Sequence, residues 1–446
     1  MRNKLTALAL PALLLSTAVH AAPPQGSGVA WDITADLTSE IGQRLAATPR
    51  EAAARDWAVE RLRKLGFANV RIEPFTMPGW ERGEERAALT VPAPQRLAVT
   101  ALGNSGSTGP KGLEAEVVYF ETIDALRAAP DGSLRGKIAF VDHAMAPTQD
   151  GSSYGPFGAA RRQGPMLAGQ KGAVAIVIRS IGTDSHRNPH TGVATQPEGG
   201  NLIPSAAVSN PDGDLIARFA RAGKPMRMNL LLTPKFTGPQ QSGNVIAELP
   251  GRDPSLPPLL LACHLDSWDL GTGAIDDAAG CGIITAAALQ ASREGQLLRT
   301  VRLLWAGAEE VGVYGGAAYG RAHAGQPHAL AMESDFGADR VWQLRLKLAP
   351  ANKDLGDRIA AALAPMGIAR SSIEADGGAD TGAIAAAQKL ALIDLMQDGT
   401  RYFDLHHTPD DTLDKVDPAQ LQQNVDAWAA VLRVVGNEAG PIAPVG

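Results

Sequence analysis

Apolar residues in the second half of the chain form four strand-like runs, at residues 258–263, 300–306, 329–332 and 390–395. They show little of the alternation expected of a strand with one face in water, so they are typical of strands buried on both faces of a parallel sheet. Histidines and carboxylates follow these runs. Because ligands of open α/β sheets bind outside the carboxyl ends of the strands, the pattern predicts a functional site at that edge.

The residues after the runs include two imidazoles and three carboxylates that suit a metal: His264, Asp276, Glu310, Asp335 and His407. Imidazole with carboxylate favours zinc, although ligand type alone also admits other first-row metals. A catalytic zinc normally takes three protein ligands and keeps a position open for water. Two zinc ions that share one carboxylate therefore fit the number of candidates better than one ion.

Two more carboxylates suit roles beside the metals. Metal-bound water has its pKa lowered to about 7, and a carboxylate that does not bind the metal must take its proton. The pair Glu309-Glu310 offers one residue for each job. Asp266 follows His264 by two residues, and a metal-bound imidazole usually donates its second N–H to such a partner. Any one of these residues alone could be a surface carboxylate or a buried structural histidine, so the hypothesis rests on the ordered set.

Five motifs in this set resemble those of the co-catalytic di-zinc exopeptidases, the clan of bacterial leucyl aminopeptidases and glutamate carboxypeptidases, and most closely the carboxypeptidase Q branch. They are His264–Asp266, Asp276–Gly280, Glu309–Gly312, Glu333–Asp335 and His407–Thr412, in matching order and spacing. The resemblance covers roughly residues 30 to 436. It implies a zinc-exopeptidase sandwich, an α/β fold with a mostly parallel central sheet flanked by helices.

The resemblance also implies how the five candidate ligands divide between the metals. Asp276 would bridge two zinc ions. Glu310 and His407 would complete one site, and His264 and Asp335 would complete the other.

The same resemblance makes Glu309 the general base and has Asp266 orient His264. Five further residues are candidates for contacts with substrate: Tyr402, His406, Asp380, His190 and Glu333.

The reasons for these five differ. Tyr402 or His406 could donate a hydrogen bond to the tetrahedral oxyanion. Asp380 lies in a glycine-rich segment that resembles the family's pocket-lining loop, with a flexible linker as the alternative. Glu333 could hold a free amino group of the substrate or support its neighbours. The loop of His190 could reach over the active site, or it could simply be solvated.

Residues 100–235 have a different character. Short β-like runs at 115–120, 137–141 and 173–178 alternate with glycine and proline, and no metal-like cluster follows them. This segment resembles the protease-associated domain found inserted in the family, which implies a small β-rich lid that selects substrate size. The expected division is a signal peptide at 1–21, catalytic segments at 22–99 and 236–446, and the inserted lid domain at 100–235.

The N-terminus has the features of a secretory signal. Arg2 and Lys4 precede an apolar stretch at residues 5–19, and Ala21 is the small residue that a signal peptidase requires. Cleavage before Ala22 would leave an exported protein, periplasmic or secreted. A retained membrane anchor is the alternative, but the stretch is short for a span of about 20 residues.

Composition narrows the partners. The formal net charge is −6 and no arginine-rich patch occurs, so nucleic acid is not expected, and neither is a membrane. The sequence allows a homodimer without deciding the oligomeric state. Its two cysteines are Cys263 and Cys281. Export permits a disulfide, but one cysteine ends a buried strand and the other belongs to a helix, so two buried free thiols are expected.

These observations predict an exported zinc exopeptidase that hydrolyses dipeptides or short peptides with a free terminus. One alternative on the same fold is an acyltransferase with a single zinc ion, as in glutaminyl cyclases. Another is a non-catalytic, receptor-like binding domain, but such domains have lost ligands, whereas this chain keeps all five and Glu309. The choice between aminopeptidase and carboxypeptidase stays open.

Overall fold

The computed structural model describes residues 26, 28–195, 202–293 and 295–445. The expected signal peptide at residues 1–21 and its cleavage point lie outside this part of the chain. Within the described residues, no helix combines the length and the apolar character needed to cross a bilayer. Two eight-stranded sheets organise the described chain.

The first sheet has parallel strands at its centre. In spatial order its strands are β1 (Ala68–Glu81), β10 (Lys235–Leu249), β12 (Val301–Ala306), β11 (Leu259–His264), β13 (Leu330–Glu333), β16 (Ala391–Gln397), β14 (Val341–Lys347) and β15 (Ala369–Arg370). Strands β12, β11, β13 and β16 run parallel to one another, whereas the pairs β1–β10, β10–β12 and β14–β16 are antiparallel. The four predicted runs are the four central parallel strands.

Both faces of the central strands are buried, which explains why the runs do not alternate. On β11, Leu259, Leu261 and Cys263 face one apolar cluster, and Leu260 and Ala262 face another. All five side chains are fully buried. When helices cover both faces of a strand, every side chain points into the apolar interior, so the strand is apolar throughout.

Helices cover both faces of this sheet. The α-helices of the described chain are α1 (Val29–Asp36), α2 (Pro49–Lys64), α3 (Ile123–Ala128), α4 (Tyr154–Gln170), α5 (Asn210–Arg221), α6 (Ala279–Ala291), α7 (Tyr314–His323), α8 (Lys353–Leu363), α9 (Gly382–Gln388), α10 (Tyr402–Leu405) and α11 (Pro418–Gly436). Helices α1, α2, α6, α8 and α11 pack on one face, and α7 and α9 pack on the other. The predicted α/β fold with flanking helices is confirmed.

The predicted starts of two helices are also present. The Thr48 side chain accepts the backbone N–H of Glu51, and Pro49 opens α2. The Asp417 carboxylate accepts two backbone N–H groups in the first turn of α11. Both caps satisfy helix donors that would otherwise lack partners.

In the sequence, the second sheet falls between β1 and β10, the first two strands of the first sheet. In spatial order its strands are β3 (Gln95–Leu97), β2 (Glu85–Val91), β9 (Arg227–Leu232), β5 (Leu113–Phe120), β6 (Ile138–Val141), β7 (Ala175–Arg179), β8 (Ser205–Val208) and β4 (Val99–Ala101). Strands β5 to β8 are parallel, and helices α3, α4 and α5 fall in the same part of the chain. We call the described residues between 85 and 232 the inserted unit.

The inserted unit begins earlier than the expected boundary at residue 100. Strands β2 and β3 pair with each other, and β2 also pairs with β9 at the far end of the unit. Residues 85–97 therefore belong to the second sheet. The sequence did not reveal this, because pairing partners more than a hundred residues apart leave no local pattern.

The expectation of two free thiols is wrong. Cys263 and Cys281 form a disulfide between the end of β11 and the first turns of α6. Their Cα atoms lie 5.2 Å apart, within the range that a disulfide spans. The sequence placed each cysteine on the right element, but only the packing of α6 beneath β11 brings the two together.

Candidate metal centre and active site

The candidate site residues meet at the carboxyl edge of the central parallel strands. His264 is the last residue of β11, Glu310 follows β12, Asp335 follows β13, and His407 follows β16 and α10. Asp276 lies in the turn between β11 and α6. Parallel strands end at a common edge, so the topology gathers residues that are far apart in sequence.

Asp276 lies between two histidines. Its Oδ1 is 2.9 Å from Nε2 of His264, and its Oδ2 is 3.3 Å from Nε2 of His407. The two oxygens of one carboxylate thus face different imidazoles. This arrangement allows a single side chain to serve two metal ions.

Each histidine also contacts a second carboxylate. Nε2 of His264 lies 3.4 Å from Oδ1 of Asp335, and Nε2 of His407 lies 2.9 Å from Oε2 of Glu310. The structure therefore brings all five candidate ligands together, in two groups that share Asp276. The division of these five residues between two metal ions stays a prediction.

Asp411 holds the turn that carries Asp276, and sequence reasoning did not single it out. Its Oδ1 accepts the backbone N–H groups of Ala274 and Ile275 at 2.7 and 2.8 Å. It is buried, and burial raises its pKa to about 7. Its motif, His407–Thr412, gave the only signal for it.

Arg44 supports the same region and was also missed. Its buried guanidinium donates to the backbone carbonyl oxygens of Leu265, at 2.7 Å, and Gly273, at 3.0 Å. It thereby ties the segment after β11 to the turn before Asp276. A lone arginine near the N-terminus carries no sequence signal for such a role.

Glu309 and Asp266 lie beside the metal-ligand candidates. The backbone N–H of Glu309 donates to Oδ1 of Asp266 at 3.0 Å. Nδ1 of His264 lies 3.0 Å from the backbone oxygen of Asp266, and its distance to the Asp266 carboxylate is 3.7 Å. The backbone oxygen of Asp266 therefore makes the shorter contact with the imidazole, and its carboxylate accepts from Glu309.

Burial and neighbouring charges shift the titration of the cluster. Burial raises the pKa of Glu309 well above its usual range, and His264 only partly opposes this. Burial and the nearby Asp276 do the same to the pKa of Glu310. Burial alone would raise the pKa of Asp276, but His264 and His407 outweigh it and hold that pKa well below its usual value. Several carboxylates thus share a small buried volume.

A cavity of about 400 Å³ opens onto this cluster. Glu309, Glu310 and Asp335 line it, as do two of the substrate-contact candidates, Tyr402 and His406. Nδ1 of His406 is buried and has no hydrogen-bond partner in the described part of the chain. Both residues thus belong to the cavity wall beside the metal-ligand candidates.

Glu333 and Asp380 are engaged elsewhere. The Glu333 carboxylate accepts the backbone N–H groups of Ala379, Asp380 and Thr381 at 2.9 to 3.2 Å. Asp380 is fully buried and accepts the N–H of Gly316. Glu333 holds the glycine-rich loop against the sheet, which favours its supporting role over a contact with a substrate amine.

His190 does not reach into the cavity, and its expected substrate contact is wrong. It is 2 % exposed, with Nδ1 2.8 Å from the backbone oxygen of His406 and Nε2 2.7 Å from Oδ1 of Asp184. Both ring nitrogens are used inside the protein. The residue joins the inserted unit to the segment that carries His406. His186 and Arg187 of the same loop are exposed, as the solvated alternative expects.

The inserted unit supplies part of the cavity wall. Tyr154, Arg161 and Arg162 of α4 line the same cavity as the metal-ligand candidates. No motif in the sequence indicated these residues. Their position follows from the docking of α4 against α10, where the rings of Tyr154 and Phe403 stack with centroids 4.6 Å apart.

Comparisons with known proteins agree with this geometry. The model of peptidase family M28 matches residues 244–432. Carboxypeptidase Q from Bos taurus is 31% identical over 406 residues, which cover 90% of this chain and 84% of that protein. Carboxypeptidase Q from Homo sapiens is 31% identical over 405 residues, with the same coverage. The chain belongs to peptidase family M28.

Solved structures of other peptidases resemble the fold of this M28 peptidase. A peptidase M28 precursor from Shewanella amazonensis SB2B matches with a TM-score of 0.90 and 42% identity, covering 94% of this chain and 96% of that one. A zinc aminopeptidase from Bacillus subtilis has a TM-score of 0.63 and 18% identity, covering 94% and 97%, and it shows likeness of fold alone. The predicted family, its fold and its peptidase activity are confirmed.

Proposed function

We propose that the chain is an exported zinc exopeptidase that hydrolyses dipeptides or short peptides with a free terminus. The observation that carries this proposal is the position of Asp276, whose two oxygens face His264 and His407. The relatives named carboxypeptidase Q support it.

The donor set fits a pair of divalent metal ions. Ligand atoms of His264, Asp276 and Glu310 lie within 4.8 Å of one another, and all three residues are buried. Burying uncompensated carboxylates is costly, and a cation of charge +2 offsets that cost. Imidazole and carboxylate suit zinc. Two zinc ions, with Asp276 shared, would take all five candidate ligands.

When bound, such ions supply a Lewis acid that lowers the pKa of water and polarises a carbonyl. Glu309 lines the cavity and is not among the five ligands, so its carboxylate is free to accept a proton from the attacking water. It would then pass the proton to the leaving amine. Tyr402 and His406 are the candidate donors to the developing oxyanion.

The position of the inserted unit is an argument for exopeptidase activity, that is, for cleavage at the ends of peptides. Its helix α4 forms one wall of a cavity of about 400 Å³, which holds a small peptide but not a folded domain. A purified enzyme that cuts casein at internal bonds would contradict the exopeptidase assignment.

Export rests on the N-terminal signal pattern and on the disulfide. Disulfides persist in oxidising compartments outside the cytoplasm. Sequencing the N-terminus of the protein from its native cells tests this proposal, and Ala22 is the expected first residue.

The deciding experiment combines metal analysis with a dipeptide assay. Glu309→Gln should keep its zinc and its fold while kcat falls by ~10²–10⁴, the usual worth of a general base. The matched control is Glu60→Gln, an exposed carboxylate on α2 that should leave kcat unchanged. If Glu309→Gln lost its zinc while Glu310→Gln kept it, Glu309 would be the metal ligand and Glu310 the general base. A zinc-loaded protein that binds peptides without cleaving them would support a receptor-like domain instead.

A further inference from the structure

The cavity combines side chains of opposite charge from two parts of the chain. Asp276, Glu309, Glu310 and Asp335 come from the first sheet and its connections. The cations on its wall are Arg161 and Arg162, both from α4 of the inserted unit. The cavity wall contributed by α4 is therefore positively charged.

Arg161 fixes α4 against the metal centre. Its Nη2 donates to the Tyr154 hydroxyl at 2.7 Å, and its Nη1 lies 3.4 Å from Nδ1 of His407. The side chain is buried, and a Cβ added at Gly192 would lie 2.3 Å from its Nη1. Arg161 is thus packed tightly between the inserted unit and a metal-ligand candidate, and we assign it a positioning role.

Arg162 is less constrained. It is partly buried, and its guanidinium folds back over the backbone of Gly158. A Cβ on that glycine would lie 2.5 Å from Nη1 of Arg162, so the absence of a side chain at Gly158 creates the space for it. Among the residues that the structure describes, no carboxylate forms an ion pair with Arg162. Arg162 is also one of the residues that line the cavity, within reach of a ligand bound there.

The two ends of a peptide carry opposite charges, so they interact differently with the cavity wall that α4 forms. A terminal ammonium group would be repelled by two guanidinium groups, whereas a terminal carboxylate can accept a forked pair of hydrogen bonds from one of them. Divalent ions held by the candidate ligands would offset the charge of the carboxylates, so the arginines would dominate the charge that a substrate terminus meets.

We propose that Arg162 binds the free C-terminal carboxylate of the substrate, so that the enzyme cleaves next to a free C-terminus. This inference rests on the proposed exopeptidase function and adds which end of the peptide the enzyme recognises. Arg161 holds α4 in place, and Arg162 makes the contact. A substrate with a blocked C-terminus would offer this guanidinium no carboxylate to bind.

The test compares a dipeptide with its C-terminal amide and with its N-acetyl form. In the wild type, kcat/KM for the free acid should exceed that for the amide by about 10–100-fold, the worth of a hydrogen bond to a charged group. Arg162→Gln should bring this ratio close to one through loss of the free-acid rate, with zinc content unchanged. Arg162→Lys should restore part of the ratio, because it returns the charge without the fork.

A second measurement does not depend on turnover. In the Glu309→Gln background, Arg162→Gln should raise the Kd for the free dipeptide by about 10–100-fold and leave the Kd for the amide unchanged. The matched control is Arg218→Gln, an exposed arginine on α5 of the same unit, which should change neither value. If Arg162→Gln misfolds, Gly158→Ala serves instead, since alanine favours a helix but displaces the guanidinium.

The outcomes separate this inference from the function on which it rests. Absence of cleavage of all three substrates by the zinc-loaded wild type would overturn the exopeptidase proposal, and the binding experiment would still report on Arg162. Equal cleavage of acid and amide, or a ratio that Arg162→Gln leaves intact, would overturn the polarity proposal while the exopeptidase stands.

Discussion

The backbone N–H of Glu309 donates a hydrogen bond to Oδ1 of Asp266 at 3.0 Å, between residues 43 positions apart in the chain. The backbone oxygen of Asp266 also lies 3.0 Å from Nδ1 of His264. One residue therefore contacts both a candidate metal ligand and the candidate base. It links the end of β11 to the turn after β12, so the two groups keep a fixed separation.

Asp266→Ala should lower kcat by about 10–100-fold while most of the zinc is retained, because it removes the acceptor that positions Glu309. Asp266→Asn keeps an oxygen at the same place and should retain most of the activity. Steady-state kinetics with metal analysis checks both variants. An asparagine variant as impaired as the alanine variant would show that the negative charge matters, and not the position of Glu309.

Asp276→Ala should lose both zinc ions and the activity together, since the shared carboxylate faces both histidines. Metal content per chain should fall from about two to near zero. Asp354→Ala, on the exposed face of α8, is the matched control and should keep both ions. A variant at Asp276 that holds one tightly bound ion and turns over at the wild-type rate would refute the bridging arrangement.

Replacing Cys263 and Cys281 together by alanine should destabilise the protein by about 3 kcal/mol, the chain-entropy value for a loop of this length. The sequence separation is 18 residues, and both cysteines are fully buried. Thermal unfolding measures the loss. Zinc content should stay unchanged, because neither sulfur is among the five ligands. An unfolding midpoint equal to that of the wild type would mean that the disulfide contributes nothing to stability.

His143 should make the protein less stable in mild acid. Burial lowers its pKa to about 4, and both ring nitrogens lack hydrogen-bond partners among the described residues. Below about pH 6.5 this histidine is protonated in the unfolded chain but stays neutral in the folded protein. The free energy of unfolding therefore falls as the pH drops towards 4, and it levels off below that. The full effect is on the order of 3 kcal/mol.

The His143→Leu variant should therefore lose less stability than the wild type between pH 7 and pH 4.5, with unfolding midpoints as the measurement. His186→Leu, at an exposed position of the same unit, is the control and should follow the wild-type curve. If the unfolding midpoints of His143→Leu and the wild type changed with pH in the same way, His143 would have the same pKa in the folded and unfolded states, and this prediction would be wrong.

Sequence patterns predicted the central strands, the helix caps and the five residues that meet at the sheet edge. These features depend on near neighbours in the chain. A strand buried on both faces must be apolar throughout, a helix must satisfy its first donors, and parallel strands must end at a common edge. The order of the motifs then sufficed to indicate the family.

Tertiary structure alone decided the features that join distant segments. The disulfide between Cys263 and Cys281, the internal contacts of His190, the loop held by Glu333 and the arginines of α4 all depend on which surfaces pack together. The same holds for residues 85–97, which join the second sheet through β9. The local sequence of such residues is compatible with many partners, and only the packed chain selects one.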